Sequence, residues 1–274
     1  MNYRHAFHAG NHADVLKHAI LLACLDHLKK KPAPFGVLDT HAGGGSYNLE
    51  SDEAQRSPEW RDGIAKLWDW ENAPEPFAAL FEAVRRFNPA GALKTYPGSP
   101  TLIAEALREG DRLAACELHS EEAADLKRAF ARRAGVQIHR RDGWEALDAL
   151  LPFPERRGLV LIDPPYEAEG ELVRAARAVR EVHRKAQTAT ILWWRPLKDE
   201  RELTRADAEA LSGGRAEALR VDLELAPPAR DGRLTASSVL IIHPPFMLAA
   251  ALIAAAPALE ARLSPDARIK VLAP

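Results

Sequence analysis

Cysteine is scarce. The 274 residues contain two, Cys24 and Cys116, far apart and each in an apolar context. That excludes a disulfide framework or a cysteine-built zinc cluster and points to a reducing compartment. Long apolar runs are missing as well. The longest, residues 246–256, is far short of the roughly 20 residues that span a bilayer, and Pro257 follows it, so no membrane helix is expected. The apolar stretch 19–25 is preceded by His12, Asp14 and His18 and followed by Asp26, with no small-residue cleavage site, so a signal peptide is not expected and the chain reads as cytoplasmic. No period of 20–50 residues suggests a solenoid. Nor is there an excess of positive charge. Lys and Arg number 37 against 39 Asp and Glu, a net charge of −2, so a nucleic-acid partner has to be held by local basic patches.

What is present is a composition able to bury a substantial core, 47% apolar with 28% mixed-sign charge. Asn11 is a good N-cap for a helix in which Ala13, Leu16, Ile20, Ala23 and Cys24 keep helical spacing, ended by Lys29-Lys30-Lys31-Pro32. From Phe35 the pattern changes. A short apolar strand signal, Gly36-Val37-Leu38-Asp39, runs into the glycine-rich turn His41-Ala42-Gly43-Gly44-Gly45. Further strand signals lie at residues 113–116, 136–139, 158–162, 188–194, 216–225 and 237–242, most of them separated by amphipathic helical stretches at 99–108, 121–133, 144–151 and 169–185. Such alternation predicts an α/β fold, a doubly wound and mainly parallel sheet with helices on both faces, whose ligands gather at the carboxyl ends of the strands. Residues 47–96 break the alternation: no strand is convincing there, while Trp60, Ile64, Leu67, Trp68 and Phe77, Leu80, Phe81, Val84, Phe87 keep helical spacing. The organisation read from this is an N-terminal arm and helix (1–33), a core (34–46 and 97–274) and a small helical insertion (47–96).

The strongest chemical signal is Asp163-Pro164-Pro165-Tyr166, directly after Leu159-Val160-Leu161-Ile162. The prolines stiffen the turn and supply no N–H, which leaves the Asp163 carboxylate and the Pro164 carbonyl as acceptors for a ligand amino group. Tyr166 offers a flat face to stack on a base taken out of its helix. Holding both amine hydrogens aims the nitrogen lone pair at an electrophile. A second Pro-Pro-aromatic turn, His243-Pro244-Pro245-Phe246, lacks the acid and serves as an internal control. At successive strand ends come the Gly43–Gly45 turn, Glu117 in the position where an acid takes ribose hydroxyls, and Asp142-Gly143, able to receive an adenine edge. Each is weak alone. In this order the four spell S-adenosylmethionine beside an amino-group acceptor. Glu117 lies 72 residues past Gly45 rather than the ~20 of a compact dinucleotide unit, an excess that the insertion accounts for.

Six of the ten histidines precede residue 42, but Gly10 between His8 and His12 argues against a helix-built metal pair, and no acid completes a set. The Tyr, Arg and His residues of the arm suit base stacking and phosphate contact better. Lys127-Arg128, Arg132-Arg133 and Arg140-Arg141 put six cations into fifteen residues without an acid, either a solvated surface or a groove for a nucleic-acid backbone.

The opening Y-R-H-A-F-H-A-G-N-H-A-D-V-L-K-H, with L-D-T-H-A-G-G-G, Y-P-G-S-P, R-D-G and L-I-D-P-P-Y, resembles the RlmJ family of bacterial methyltransferases that modify adenine N6 in 23S ribosomal RNA. The resemblance implies a Rossmann-like class I methyltransferase core, no metal, and S-adenosylmethionine held by Lys17, His18, His41, Ser99, Glu117, Asp142, Gly143 and Asp163. It implies further that Asp163 accepts the amine proton and that Tyr3 touches the target base. The expectation is therefore a cytoplasmic, monomeric, S-adenosylmethionine-dependent 23S rRNA (adenine-N6)-methyltransferase. The alternatives are a guanine N2 methyltransferase of rRNA and a non-catalytic RNA-binding assembly factor on the same fold. A nicotinamide dehydrogenase is disfavoured by the missing G-x-G-x-x-G.

Overall fold

The computed structural model describes residues 4–226 and 234–274. Asn11 caps helix α1 (His12–Lys29), its side-chain oxygen accepting the Asp14 N–H at 2.9 Å. The chain then forms β1 (Gly36–Asp39), β2 (Ser46–Asn48), α2 (Asp52–Arg56), α3 (Ile64–Leu67), α4 (Phe77–Arg86) and β3 (Thr95–Pro97). Regular alternation follows through α5 (Ser99–Ala106), β4 (Arg112–Cys116), α6 (Ser120–Ala129), β5 (Val136–His139), α7 (Gly143–Ala149) and β6 (Gly158–Ile162). The last part comprises α8 (Glu171–Lys185), β7 (Thr190–Pro196), α9 (Glu200–Leu211), β8 (Ala218–Glu224), β9 (Ala236–Ile242), α10 (Leu248–Leu263) and β10 (Arg268–Leu272).

Eight of the described strands make one sheet in the order β10-β8-β9-β7-β6-β1-β4-β5. From β7 to β5 the pairing is parallel, and β9, β8 and β10 run antiparallel at the other side. The order reverses at β1, and the carboxyl ends of β1, β4, β5 and β6 open on one edge. Alternation along each strand separates two cores. Leu159 and Leu161 of β6 join α1, α4, α5 and α10 on one face, while Val160 and Ile162 join α7, α8 and α9 on the other. No described helix is long and apolar enough to cross a membrane.

One sequence expectation needs correction. The segment 47–96 is not strand-free: β2 and β3 pair antiparallel, Ser46 opposite Pro97 and Asn48 opposite Thr95, and close the helical segment at its base. Three residues each are too few to register as period-two alternation. In helix α1 polar and charged positions such as His12, Asp14, Lys17 and His18 are buried with the apolar ones. The sheet covers one side of this helix and α4 and α5 another, so little of it is left for solvent.

Under α9 lies a buried charge network. Arg195 of β7 pairs with Asp207 and donates to Ser238 at 3.0 Å, and Arg220 of β8 reaches Asp207 at 3.5 Å and Asp222 at 2.7 Å. All four charged residues are under 5% exposed. Replacing one member strands the others' charge in a medium that cannot solvate it. Asp207→Ala is expected to destabilise the fold by about 3–5 kcal/mol, read as a fall in the urea midpoint. A midpoint equal to that of the parent protein would show that water reaches the two guanidinium groups.

Candidate active site

At the carboxyl edge of β1, β4, β5 and β6 a cavity opens between α1, α7 and the first turn of α8. Lys17, His18, His41, Ser99, Glu117, Asp142, Gly143 and Asp163 all line it. Its floor is set by backbone constraints. Thr40 at the end of β1 donates its hydroxyl to Leu161 O at 2.9 Å, and Gly143 sits so close that an added Cβ would lie 2.2 Å from the Thr40 carbonyl oxygen. Glycine is required there because a second backbone occupies the space of a side chain. The glycine-rich turn also serves Glu117: its Oε2 accepts the Gly43 N–H at 2.8 Å and its Oε1 the His119 N–H at 2.7 Å. Asp142 accepts the Trp144 N–H at 2.8 Å as the N-cap of α7.

The opposite wall is ionic. Lys17 Nζ lies 2.5 Å from Asp163 Oδ2 and 2.8 Å from Asp14 Oδ1, and is 4% exposed. Burial alone would lower the lysine's pKa, but Asp14 and then Asp163 outweigh it and hold Lys17 above the ordinary lysine range. Burial likewise opposes charge on Asp14, which is nevertheless kept well below the usual carboxylate range, chiefly by His5 and Lys17. His5 Nε2 meets Asp14 Oδ2 at 2.9 Å, and the Gly10 N–H donates to the same oxygen at 2.9 Å. Asp14 thus fastens the N-terminal segment to the cavity wall. Two histidines are held neutral by burial, His18 down at about 3 and His41 at about 4. His18 Nδ1 lies 2.9 Å from the Tyr96 hydroxyl.

The family model described as Ribosomal RNA large subunit methyltransferase D, RlmJ, matches residues 32–271. The chain belongs to this family. It is 36% identical to the Ribosomal RNA large subunit methyltransferase J of Escherichia coli over 97% of this chain and 95% of that one. The protein of the same name from Haemophilus influenzae is 37% identical over 90% and 89% of the two chains. A crystal structure of a Legionella pneumophila protein superposes with a TM-score of 0.89 at 31% identity, covering 97% and 98% of the two chains. The sheet order is accordingly that of a class I methyltransferase of the RlmJ family.

Within this RlmJ-family chain the turn after β6 departs from the sequence expectation. Pro165 lines the cavity, while Pro164 is buried and is not part of its wall. Tyr166 is turned away from it. A positive φ of 54° directs its side chain toward β7, where its hydroxyl donates to Trp194 O and accepts from Trp193 Nε1, both at 2.8 Å. Its ring forms a wall of the neighbouring cleft between α8 and α9. Tyr3 lies outside the described residues. The other Pro-Pro turn follows β9, which is antiparallel to β7 with Ile242 opposite Ile191, so His243 and Phe246 emerge at the other edge of the sheet.

Several site residues escaped sequence reasoning. His5 lines the cavity although the arm was assigned to RNA contact. Asp14 was passed over, although its place three residues after the cap Asn11 and three before Lys17 was a usable signal. Trp144 stands edge-on to His41 with centroids 5.2 Å apart, and the Arg174 guanidinium lies 5.0 Å over its ring. Asp39, at the end of β1, is fully buried. Its Oδ2 accepts the Ser99 hydroxyl at 2.7 Å, and its Oδ1 has no partner among the described residues.

Burial raises the Asp39 pKa from 3.8 to about 7. Between those values the folded state holds a proton that the unfolded chain has lost, so this group's contribution makes stability fall as pH rises through that window. Asp39→Asn is expected to remove that part of the slope, seen by comparing urea unfolding of both proteins across pH 4.5–7.5. Parallel slopes would mean that Asp39 titrates like an exposed carboxylate.

Proposed function

We propose that this chain transfers a methyl group from S-adenosylmethionine to the N6 amino group of an adenosine in 23S ribosomal RNA, acting as a cytoplasmic monomer. The observation that carries this reading is the convergence of Asp163, Lys17, Glu117 and Asp142 in one cavity of a chain from a ribosomal RNA methyltransferase family. The cavity's chemistry fits the cofactor. Glu117 supplies a carboxylate for a vicinal diol, Trp144 a flat wall for a heterocycle, and Asp163 an anionic face for a cationic sulfur centre. The bound cofactor supplies an electrophilic methyl group on a sulfonium.

Lys17 occupies Asp163 Oδ2, which leaves Oδ1 to accept an amine N–H. Asp163 then orients the amine and takes the proton that nitrogen must shed once it has gained the methyl. Lys17 itself is held protonated by two carboxylates and acts by fixing Asp163 rather than as a base. The Tyr166 hydroxyl is fixed by Trp194 O and Trp193 Nε1, so Tyr166 faces the neighbouring cleft and takes no part in gripping the amine. A cavity wall of neutral imidazoles, His18 and His41, adds no positive charge against a cationic cofactor. The Asp163 carboxylate suits guanine N2 as well as adenine N6, so the choice of adenine rests on the family resemblance.

Glu117→Ala is expected to weaken S-adenosylmethionine binding by about 1.5–3 kcal/mol, the loss of charge-assisted hydrogen bonds, in a protein that still folds. Calorimetry reads this directly, and unchanged affinity would remove Glu117 from the cofactor site. Incubating the protein with labelled S-adenosylmethionine and rRNA from a strain lacking it should yield labelled N6-methyladenosine after digestion. Asp163→Ala should lower that yield by about 10²–10⁴-fold. Label in N2-methylguanosine, or undiminished in the Asp163 variant, would reject the assignment.

A further inference from the structure

The cations of residues 127–141 take no part in the cavity, and the structure sorts them. They occupy the end of α6, the following loop and the turn after β5, the outermost strand on that side of the sheet. Arg128 is paired with Asp125, and Arg133 donates to Ala104 O at 2.8 Å and reaches Glu105 at 3.3 Å. Lys127, Arg132, Arg140 and Arg141 have no ion-pair partner among the described residues, and the first three are exposed. Lys127 and Arg141 are close enough that both disfavour protonation of His139, after burial, so the ends of α6 and β5 come together. The patch also abuts the cavity. Asp142 and Gly143, which follow Arg141, line it, as does Glu122 of α6.

We propose that Lys127, Arg132, Arg140 and Arg141 form a ridge that binds the phosphodiester backbone of the RNA flanking the nucleotide in the cavity. This rests on the RNA-methylating reading above. A chain of net charge −2 has no overall field with which to hold a polyanion, so affinity must come from cations that are not already neutralised within the protein. These four meet that condition beside the site. The cleft between α8 and α9 offers Arg177, Lys198 and Arg205, but Glu202, Asp199 and Glu209 share its wall and cancel their field. Charges flanking an edge strand also discourage strand pairing between molecules. That role alone would leave RNA binding untouched, which gives the test its contrast.

The test measures binding of 23S rRNA from a strain lacking the enzyme as a function of salt, with methylation kinetics in parallel. The variant is Lys127→Gln/Arg132→Gln/Arg140→Gln; Arg141 is left in place because it adjoins Asp142. Each lost phosphate contact should reduce the slope of log affinity against log salt by about 0.7–0.9, so the triple variant should lose roughly 2–3. The KM for RNA should rise about tenfold or more, while kcat at saturating RNA and the affinity for S-adenosylmethionine stay as in the parent protein. A matched Arg177→Gln/Lys198→Gln/Arg205→Gln variant should keep the parent slope. The ridge is rejected if its variant retains slope and KM, or if the cleft variant takes the loss instead. Binding is read without methylation, so a different methylated nucleoside made by the parent protein would overturn the base assignment and leave the ridge standing.

Discussion

The ion pair between Lys17 and Asp163 is the contact on which the rest of the site depends. It joins helix α1 to the end of β6, 146 positions away in sequence, and Asp14 completes it from one turn earlier on the same helix. A lysine this deeply buried is tolerable only when its charge is matched and its protons are bonded, and each carboxylate is in turn tolerable only with the lysine present. The consequence is geometric. Helix α1 cannot rotate or slide without breaking the pair, and the N-terminal segment, tied to Asp14 through His5 and Gly10, is held with it.

That constraint explains why α1 is buried nearly all round. A helix carrying Lys17 to the edge of a sheet needs cover on its outer side, and α4 and α5 provide it. The segment 47–96, closed at its base by β2 and β3, therefore braces the cavity from behind. The glycine-rich turn contributes from the sheet itself, where the Gly43 N–H and the His119 N–H fix both Glu117 oxygens before any ligand arrives. Preorganisation of this kind spares the site the cost of orienting its acids at the moment of binding.

The two faces of the protein beside the cavity differ in charge economy. On the α8–α9 side acids and cations are interspersed, and beneath them Arg195, Asp207, Arg220 and Asp222 compensate one another out of reach of water. On the α6–β5 side four cations are left without carboxylate partners among the described residues. A protein of nearly balanced charge can in this way carry a local excess of positive charge.

Much of this was legible in the sequence because strand-end chemistry is local. Once β–α alternation fixed which residues end strands, Gly43 to Gly45, Glu117, Asp142-Gly143 and Asp163 had to share one edge of a parallel sheet. The family resemblance added Lys17, His18, His41 and Ser99, and all of these line the cavity. What the sequence left undecided depends on direction and on distant partners. The turn of Tyr166 toward β7 follows from a single positive φ, and nothing in Asp-Pro-Pro-Tyr specifies its sign. Asp14 gains its role from His5 and Lys17 meeting it in space, and Trp144 gains its own from Arg174 on another helix. The two Pro-Pro turns look alike in one dimension, and only the antiparallel course of β9 sends the second to the opposite edge. Sequence spacing decides which residues end a strand, whereas the sheet's pairing and the packing of helices on it decide what those ends face.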